Sequence, residues 1–508
     1  MRNVILIVCD QLRPDYLPCY GADHISMPNL AALATDGCVF TQAITASTVC
    51  APARASIMTG LPVSAHGAWT NDIPVKEGIT YLPERLNQLG VLTAAVGCYD
   101  HAPRGNTIGY QYFHPLIDGR NNEHLTLLKE KHPEATTSYM ADGLQFKYTE
   151  PEHYDRWACD QACRFLEMPK DRPFFLYCGF LEPHGPYLPP KEMRGRIDPD
   201  KIPEPWTQTR TDIPSVELYR RAFINPTPAL SPELDPEGAK KVREQRRKER
   251  LAYCEMICEI DDLVGRIIST LKATGQYEDT TIIFTADHGS MEFDLGVDTK
   301  GPWPYTPQLF IPMIIANAPG LEPGSRSDIL CGNRDVGATV LDLMDDCNPF
   351  GLSRSMIGMV QGSVPRREVN FSEFNDSVKT AVDDRYTFSY YPFTGVMTLF
   401  DRITDPHFQK DLSKDPSFAS TVQYFLSKVI DFMVVSKDVR IEAHDLTPEV
   451  RSGIEQMAPH FLDDFEICYP LSHAEQIDRV KAQGLDGDYN EFCKDRPIKA
   501  HYGVYWES

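Results

Sequence analysis

Residues 1–11 read MRNVILIVCDQ. Within this stretch the unbroken apolar run Val4–Cys9 is followed at once by a carboxylate and an amide. A short run that is apolar at every position is typical of a strand buried on both faces in a parallel sheet. It is too short for a signal-peptide core with a cleavage site, and far too short to span a bilayer. We therefore expect a buried strand at Val4–Cys9, with Asp10 and Gln11 at its carboxyl end.

Four further apolar runs have the length and composition of strands, and they alternate with segments of helical periodicity. They are Thr93–Gly97, Phe174–Phe180, Thr280–Thr285 and Phe310–Ala316. The clearest helical pattern lies between Tyr253 and Leu271 and leads into the Thr280 strand. Alternation of this kind predicts an α/β fold with a large, mostly parallel sheet sandwiched by helices. We assign residues 1–375 to one large domain with this fold.

The pattern changes after about residue 375. Arg385–Tyr391 and Met397–Arg402 are typical of a β-hairpin, and Phe418–Val435 is typical of a helix. We therefore predict a smaller C-terminal α+β domain over residues 376–508. It includes an acidic tail from about residue 436, to which the sequence assigns no function.

Composition narrows the classes of partner. The 508 residues are 42% hydrophobic and carry a formal charge of −22, so the chain should fold as a globular protein that repels nucleic acid and anionic membranes. The fourteen cysteines are scattered and form no C-x-x-C pair. This usage favours reduced thiols and a cytoplasmic location. Homo-oligomer formation is left open.

Residues 48–60 read TVCAPARASIMTG and suggest a nucleophile at the start of a helix. Pro52 suits the first helical turn and Gly60 suits the end, which places Cys50 at the helix N-terminus. Unpaired amides and the positive end of the helix dipole favour an anionic nucleophile there. Arg54 lies one turn further on the same face and adds a fixed positive charge.

Two polar pairs follow predicted strands directly. Asp10-Gln11 follows the first strand and Asp287-His288 follows the strand that begins at Thr280. The carboxyl ends of strands are where open α/β sheets bind ligands. Two carboxylates, an amide oxygen and an imidazole make a divalent metal site, with Cys50 as a further ligand.

Residues 48–60 resemble the C-x-P-x-R signature of the formylglycine-dependent sulfatases, a family of the alkaline phosphatase superfamily. The resemblance covers nearly all of residues 3–416, through three further segments: Leu181–Tyr187, Lys300-Gly301-Pro302 and Thr398–Leu412. It implies an alkaline phosphatase-like fold and a formylglycine derived from Cys50 by a maturation enzyme. It also implies a divalent metal, with Ca²⁺ first and Mn²⁺ or Zn²⁺ as alternatives.

The same resemblance implies roles for individual side chains. His184 would contact the substrate ester and act as general acid, Lys300 would hold the sulfate oxygens, and Asn71 would lie near the ester. The implied substrate is a small-molecule or saccharide ester.

One segment departs from the family. Most sulfatases carry G-K-x-H where this chain has Gly97-Cys98-Tyr99-Asp100, so a lysine and a histidine are missing. We predict that Asp100 acts as the base that breaks down the covalent intermediate. The alternative is a loop-capping role for Asp100, with His101 or a water as base.

The phosphonate monoester hydrolase branch also lacks that lysine and histidine. Sulfuric ester hydrolysis is therefore our first hypothesis for function, and phosphonate monoester or phosphodiester hydrolysis on the same scaffold is the alternative. A non-catalytic binding relative is a third hypothesis. It predicts loss of Cys50 or of the metal carboxylates, and both are kept.

Overall fold

The computed structural model describes residues 1–436, except 100–106, 117–121, 208, 211, 218–235, 298–299, 347–349 and 393. An eight-stranded sheet dominates this part of the chain, in the strand order β5-β4-β6-β1-β7-β8-β2-β9. Its strands are β1 (Asn3–Cys9), β2 (Gly37–Phe40), β4 (Leu92–Cys98), β5 (Tyr112–Leu116), β6 (Phe174–Phe180), β7 (Thr280–Ala286), β8 (Met313–Ala316) and β9 (Ser325–Ser327). A two-stranded parallel pair, β3 (Ala43–Ile44) and β10 (Cys331–Gly332), lies apart from it.

Strand β1 lies in the interior of the sheet, parallel to β6 on one side and to β7 on the other. Val4–Cys9 and every residue of β6 and β7 are buried, which explains why these segments contain no charged residue and are mostly apolar. Only β8 runs against its neighbours within this sheet, so the prediction of a mostly parallel sheet is confirmed.

The predicted strand Phe310–Ala316 is wrong at its start, because the observed strand begins at Met313. Pro312 lies just before this strand and has no N–H group to donate to a neighbouring strand. Ile311 instead donates to the carbonyl of Ala43, outside the eight-stranded sheet.

Helices cover the sheet and supply the rest of the core. The described helices are α1 (Pro28–Thr35), α2 (Cys50–Thr59), α3 (Val63–His66), α4 (Leu82–Gln88), α5 (Glu123–Lys131), α6 (Tyr154–Glu167), α7 (Pro236–Ala273), α8 (Thr306–Leu309), α9 (Val336–Leu343), α10 (Met356–Gln361) and α11 (Ala419–Ser436). The periodic segment Tyr253–Leu271 lies in α7, whose apolar face is buried in the main core, as predicted.

A second, antiparallel sheet follows, made of β11 (Asn370–Phe374), β12 (Val378–Val382), β13 (Tyr386–Tyr391) and β14 (Val396–Asp401). Strands β13 and β14 form the predicted hairpin. Phe425 and Val429 of α11 pack on this sheet. By length and composition this helix could also span a membrane, and 22% of its apolar window is buried in the structure. The sheet begins just before residue 375, where we place the domain boundary; the boundary itself stays a prediction.

Gly97 lies near the carboxyl end of β4 with a φ of 78°. A Cβ atom at this position would lie 2.1 Å from the carbonyl oxygen of Gly179 in the neighbouring strand. Gly90, just before the same strand, also has a φ of 78°, but a Cβ atom there would meet nothing within 4 Å. The two glycines therefore have the same φ and differ in the space around them.

We predict that Gly97→Ala destabilises the protein more than Gly90→Ala. Both changes carry the strain of a positive φ, about 1 kcal/mol or somewhat more, whereas only Gly97→Ala adds the overpacking cost of about 1–3 kcal/mol. Matched thermal scans of the two variants measure the difference. Equal melting temperatures for the two variants would contradict the predicted overpacking against Gly179.

Candidate active site

Cys50 is the first residue of α2, as its sequence context predicts. Val49 before it is extended, and the helix ends at Gly60 with a φ of 66°. Every residue of α2 is buried, so the cysteine lies inside the protein at the helix N-terminus. This position combines the partial positive charge of a helix N-terminus with the low dielectric of a buried site.

Three groups from other parts of the chain surround the sulfur of Cys50. Asp10 Oδ1 lies 3.4 Å from Sγ and His288 Nε2 lies 3.3 Å from it. The Lys300 ammonium donates to the same atom. The structure thus brings the predicted nucleophile, two predicted metal ligands and a predicted sulfate-binding lysine to one point.

Asp10 and Asp287 directly follow the neighbouring strands β1 and β7, at the same position along the sheet. Cys9 and Ala286, which precede them, are register partners in the β1–β7 pair. Both carboxylates are almost completely buried. Burial raises the pKa of Asp10, and the neighbouring Asp287 charge raises it further. Burial would also raise the pKa of Asp287, but the positive groups around it hold that pKa below its ordinary value.

Arg54 lies between these carboxylates. Its Nε donates to Asp287 Oδ2 at 2.9 Å and its Nη2 donates to Asp10 Oδ2 at 3.2 Å. Nη1 donates to the Cys98 carbonyl at 2.9 Å and to the Tyr177 hydroxyl. Arg54 therefore places its fixed positive charge between the metal-ligand candidates and holds them in place; its predicted catalytic role stays a prediction.

His288 presents one ring nitrogen to the site. Its Nδ1 lies 2.7 Å from the carbonyl oxygen of Gly289, a contact that requires the proton on Nδ1. Burial lowers the pKa of His288, which favours the neutral ring. The lone pair of Nε2 is then directed towards Cys50 and the carboxylates and is able to bind a cation.

These donors fit a divalent cation. The ligand atoms of Asp10, Cys50, Asp287 and His288 all lie within 4.8 Å of one another, and all four residues are buried. Two carboxylates with a neutral imidazole form a recognised donor set for divalent ions.

Gln11 adopts a φ of 67°, and its backbone N–H donates to Asp287 Oδ1. Its side-chain Nε2 donates to Ser290 Oγ at 3.2 Å. A metal-binding role for the amide oxygen of Gln11 stays a prediction.

His184 and Lys300 form a pair beside Cys50. Lys300 Nζ lies 2.9 Å from His184 Nε2, and the Nδ1 of His184 contacts the Gly185 carbonyl. Burial, and after it the Lys300 charge, lower the pKa of His184 to about 3. Burial would also lower the pKa of Lys300, but negative charge at Cys50 and Asp10 raises it above its ordinary value. These shifts favour a protonated Lys300 ammonium and a neutral His184 ring.

Asn71 lies at the start of α2, where its Oδ1 accepts a hydrogen bond from the Ala51 N–H at 3.1 Å. This bond positions the residue that follows Cys50, and contact of Asn71 with substrate stays a prediction. Asp100 and His101, to which we assigned the base, lie outside the described residues.

Four residues that our sequence analysis did not single out support this site. Thr45 and Asn333 both donate to the Asp287 carbonyl, Gln308 donates to the Thr48 carbonyl, and Tyr177 accepts from Arg54. Tyr177 lies in an apolar strand and has the pattern of a core residue. The other three lie where no local motif marks them, so the sequence carried no signal for their roles.

A buried cysteine at a helix N-terminus, beside a pair of carboxylates at the carboxyl ends of two neighbouring strands, is typical of a hydrolase active site. The family model for sulfatases matches residues 2–346, which is more than half of the chain, and the chain therefore belongs to the sulfatase family. It is a sulfatase-type hydrolase, and this confirms the predicted family and enzyme class.

Two curated proteins cover most of the chain. Over 517 residues it is 25% identical to the multifunctional alkaline phosphatase superfamily protein PehA of Trinickia caryophylli, a match that spans 88% of this chain and 98% of that protein. Over 473 residues it is 26% identical to an arylsulfatase of Clostridium perfringens, spanning 84% of this chain and 93% of the arylsulfatase.

Solved structures share the fold. The phosphonate monoester hydrolase of Agrobacterium radiobacter superposes with a TM-score of 0.72 at 23% identity, over 86% of this chain and 96% of that one. The phosphonate monoester hydrolase of Silicibacter pomeroyi gives the same TM-score at 24% identity, over 88% of this chain and 98% of that one. These likenesses confirm the predicted alkaline phosphatase-like architecture.

Proposed function

We propose that the protein hydrolyses sulfuric esters through a formylglycine at residue 50 and a divalent cation. The observation that carries this proposal is the meeting of Asp10, His288 and Lys300 at the sulfur of Cys50. In the matured protein that sulfur is replaced by oxygen, so its position stands in for the hydrated aldehyde. A separate maturation enzyme would carry out the oxidation.

The metal would be held by Asp10, Asp287, His288 and residue 50, with Gln11 as a further oxygen donor. When bound, it supplies positive charge that orients and acidifies the attacking hydroxyl. The carboxylates suit Ca²⁺, whereas the imidazole of His288 suits Mn²⁺ or Zn²⁺. Arg54 keeps both carboxylates aligned towards the site.

Hydrated formylglycine carries two hydroxyls on one carbon. One would attack the sulfur of the ester and displace the alcohol, and the other would then lose its proton to a base as the aldehyde re-forms and sulfate is released. Placement of residue 50 at the N-terminus of α2 stabilises the negative charge that passes over it. Lys300 adds a buried positive charge for the anionic oxygens of the ester. The Nδ1 of the neutral His184 ring is held by the Gly185 carbonyl, so only Nε2 can serve the leaving group. Nε2 would take a proton from Lys300 and pass that same proton to the leaving-group oxygen.

Phosphonate monoesters and phosphodiesters form the second candidate substrate class. They share with sulfate monoesters a single negative charge and a tetrahedral centre. The stretch Gly97–Tyr99 provides no second lysine, which weakens attraction for a more highly charged group. A phosphonate monoester hydrolase is among the solved structures that share the fold. We propose small-molecule or saccharide esters as substrates and the cytoplasm as the location.

Matured protein should hydrolyse an aryl sulfate, and Cys50→Ala should lose turnover by a factor of at least about 10³, because the nucleophile itself is lost. Cys19→Ala removes a cysteine outside the site and should keep full turnover. Peptide mass spectrometry checks for formylglycine at residue 50. A panel of aryl sulfate, phosphonate monoester and phosphodiester ranks the substrate classes.

An unmodified thiol at residue 50 in fully active protein would disprove the formylglycine mechanism. A higher kcat/KM for the phosphonate monoester than for the aryl sulfate would select the second candidate function. Equal turnover by Cys50→Ala and Cys19→Ala would exclude both candidate functions, because each requires residue 50 as the nucleophile.

We further predict that His184→Ala and Lys300→Ala slow the release of poor leaving groups far more than good ones, since both residues handle one proton. The double variant should be little slower than either single variant on a substrate with a poor leaving group. Rate measurements across aryl sulfates of graded phenol acidity test this. An equal loss at every leaving group, or fully additive losses, would contradict a shared proton.

A further inference from the structure

A second group of metal-ligand side chains lies behind the loop that carries His184. His153 immediately precedes α6, Glu182 follows β6, and Glu259 lies within α7. All three side chains are completely buried. One ligand atom from each lies within 4.8 Å of the others, so three separate segments of the chain converge on one point.

The donor atoms of this group lack hydrogen bonds among the described residues. His153 Nδ1 lies 3.1 Å from Glu259 Oε1, and His153 Nε2 lies 3.5 Å from Glu182 Oε1. Neither approach is aligned well enough for a hydrogen bond, and all four carboxylate oxygens of Glu182 and Glu259 are also without one. Buried polar atoms are seldom left in this state, because each costs about 1–3 kcal/mol.

Several buried titratable groups share the space around these unsatisfied atoms. A third buried carboxylate, Asp155, is occupied by the backbone N–H groups of Leu181 and Glu182, at 2.9 and 2.7 Å. Burial raises the pKa of Glu182 well above its ordinary value, and the charges of Glu259 and Asp155 raise it further. Burial also raises the pKa of Asp155 to about 7. Burial would lower the pKa of His153, but the charge of Glu259 raises it. The group is therefore neutral only if it holds protons on His153 and on the carboxylates, and a buried divalent cation would take the place of those protons.

We propose that His153, Glu182 and Glu259 form a second cation site, which binds a divalent transition-metal ion of the Zn²⁺ type. One imidazole nitrogen and two carboxylates are ligands that Zn²⁺ accepts, and a buried cation offsets the carboxylate charge. The ring of His153 is held by the edge of Phe146, with ring centroids 4.9 Å apart, so the nitrogen donors are preoriented. This proposal does not rest on the proposed function.

The bound ion would join β6, α6 and α7 at the base of the His184 loop. Glu182 lies two residues before His184, and the loop contacts the active site through Lys300. The ion therefore has a positioning role, because it fixes the segment from which His184 reaches Lys300. The competing account is a proton shared between Glu182 and Glu259, which neutralises the same charge without metal.

The test measures the zinc bound by proteins in which the proposed active-site metal ligands Asp10 and Asp287 are replaced. The starting protein is the full-length Asp10→Asn, Asp287→Asn variant, which is stripped with chelator, exposed to Zn²⁺, desalted and analysed for metal. Adding Glu259→Gln or His153→Gln should remove one equivalent of zinc per chain. Adding Glu255→Gln, a buried carboxylate one turn away in α7 that pairs with Arg194, should not.

Zinc should also raise the melting temperature of the starting protein and of its Glu255→Gln derivative, and leave that of the Glu259→Gln derivative unchanged. Circular dichroism identifies any variant that fails to fold, and two variants at the site guard against that loss. The test is the difference of one equivalent, so residual metal at Asp10 does not affect it. Equal zinc content in folded Glu259→Gln, folded His153→Gln and the starting protein would overturn the proposal in favour of the shared proton.

Discussion

One guanidinium holds the active site together. Arg54 donates to Asp10 and to Asp287, two buried carboxylates on neighbouring strands. Two such charges about 4 Å apart repel by roughly 4 kcal/mol at an effective dielectric near 20, so they need a cation between or beside them. Arg54 provides one positive charge, and Lys300, whose Nζ lies 3.9 Å from Asp10 Oδ1, provides another. The ligand atoms that Asp10, Asp287 and His288 direct towards Cys50 suit a divalent metal. Breaking a buried pair of this kind costs about 3–5 kcal/mol.

This constraint explains the spacing of the C-x-P-x-R segment. Cys50 and Arg54 are four residues apart, so they lie on one face of α2. The arginine anchors the helix to the ends of β1 and β7, and that contact fixes the cysteine beside the same carboxylates. The proposed nucleophile and the proposed metal ligands are therefore linked through Arg54, and Lys300 contacts the same cysteine.

The sequence predicted the parts of this unit that local patterns can reveal. The buried strands, the helix start at Cys50 and the carboxylates at strand ends each follow from apolar runs or helix signals. Tyr177 and Asn333 could not be found in this way, because their roles depend on contacts between distant segments. The Arg54 contacts were missed for the same reason. Helical spacing gives the face on which a side chain lies, but not the partner it reaches.

The central claim is that Asp10, Asp287, His288 and residue 50 together bind a divalent cation. Anomalous-difference density from crystals soaked in Mn²⁺ tests it most directly. The account predicts a peak bounded by Asp10, Asp287, His288 and residue 50, and the loss of that peak in crystals of Asp287→Asn. An anomalous map with no peak among these four residues at saturating Mn²⁺ would contradict it.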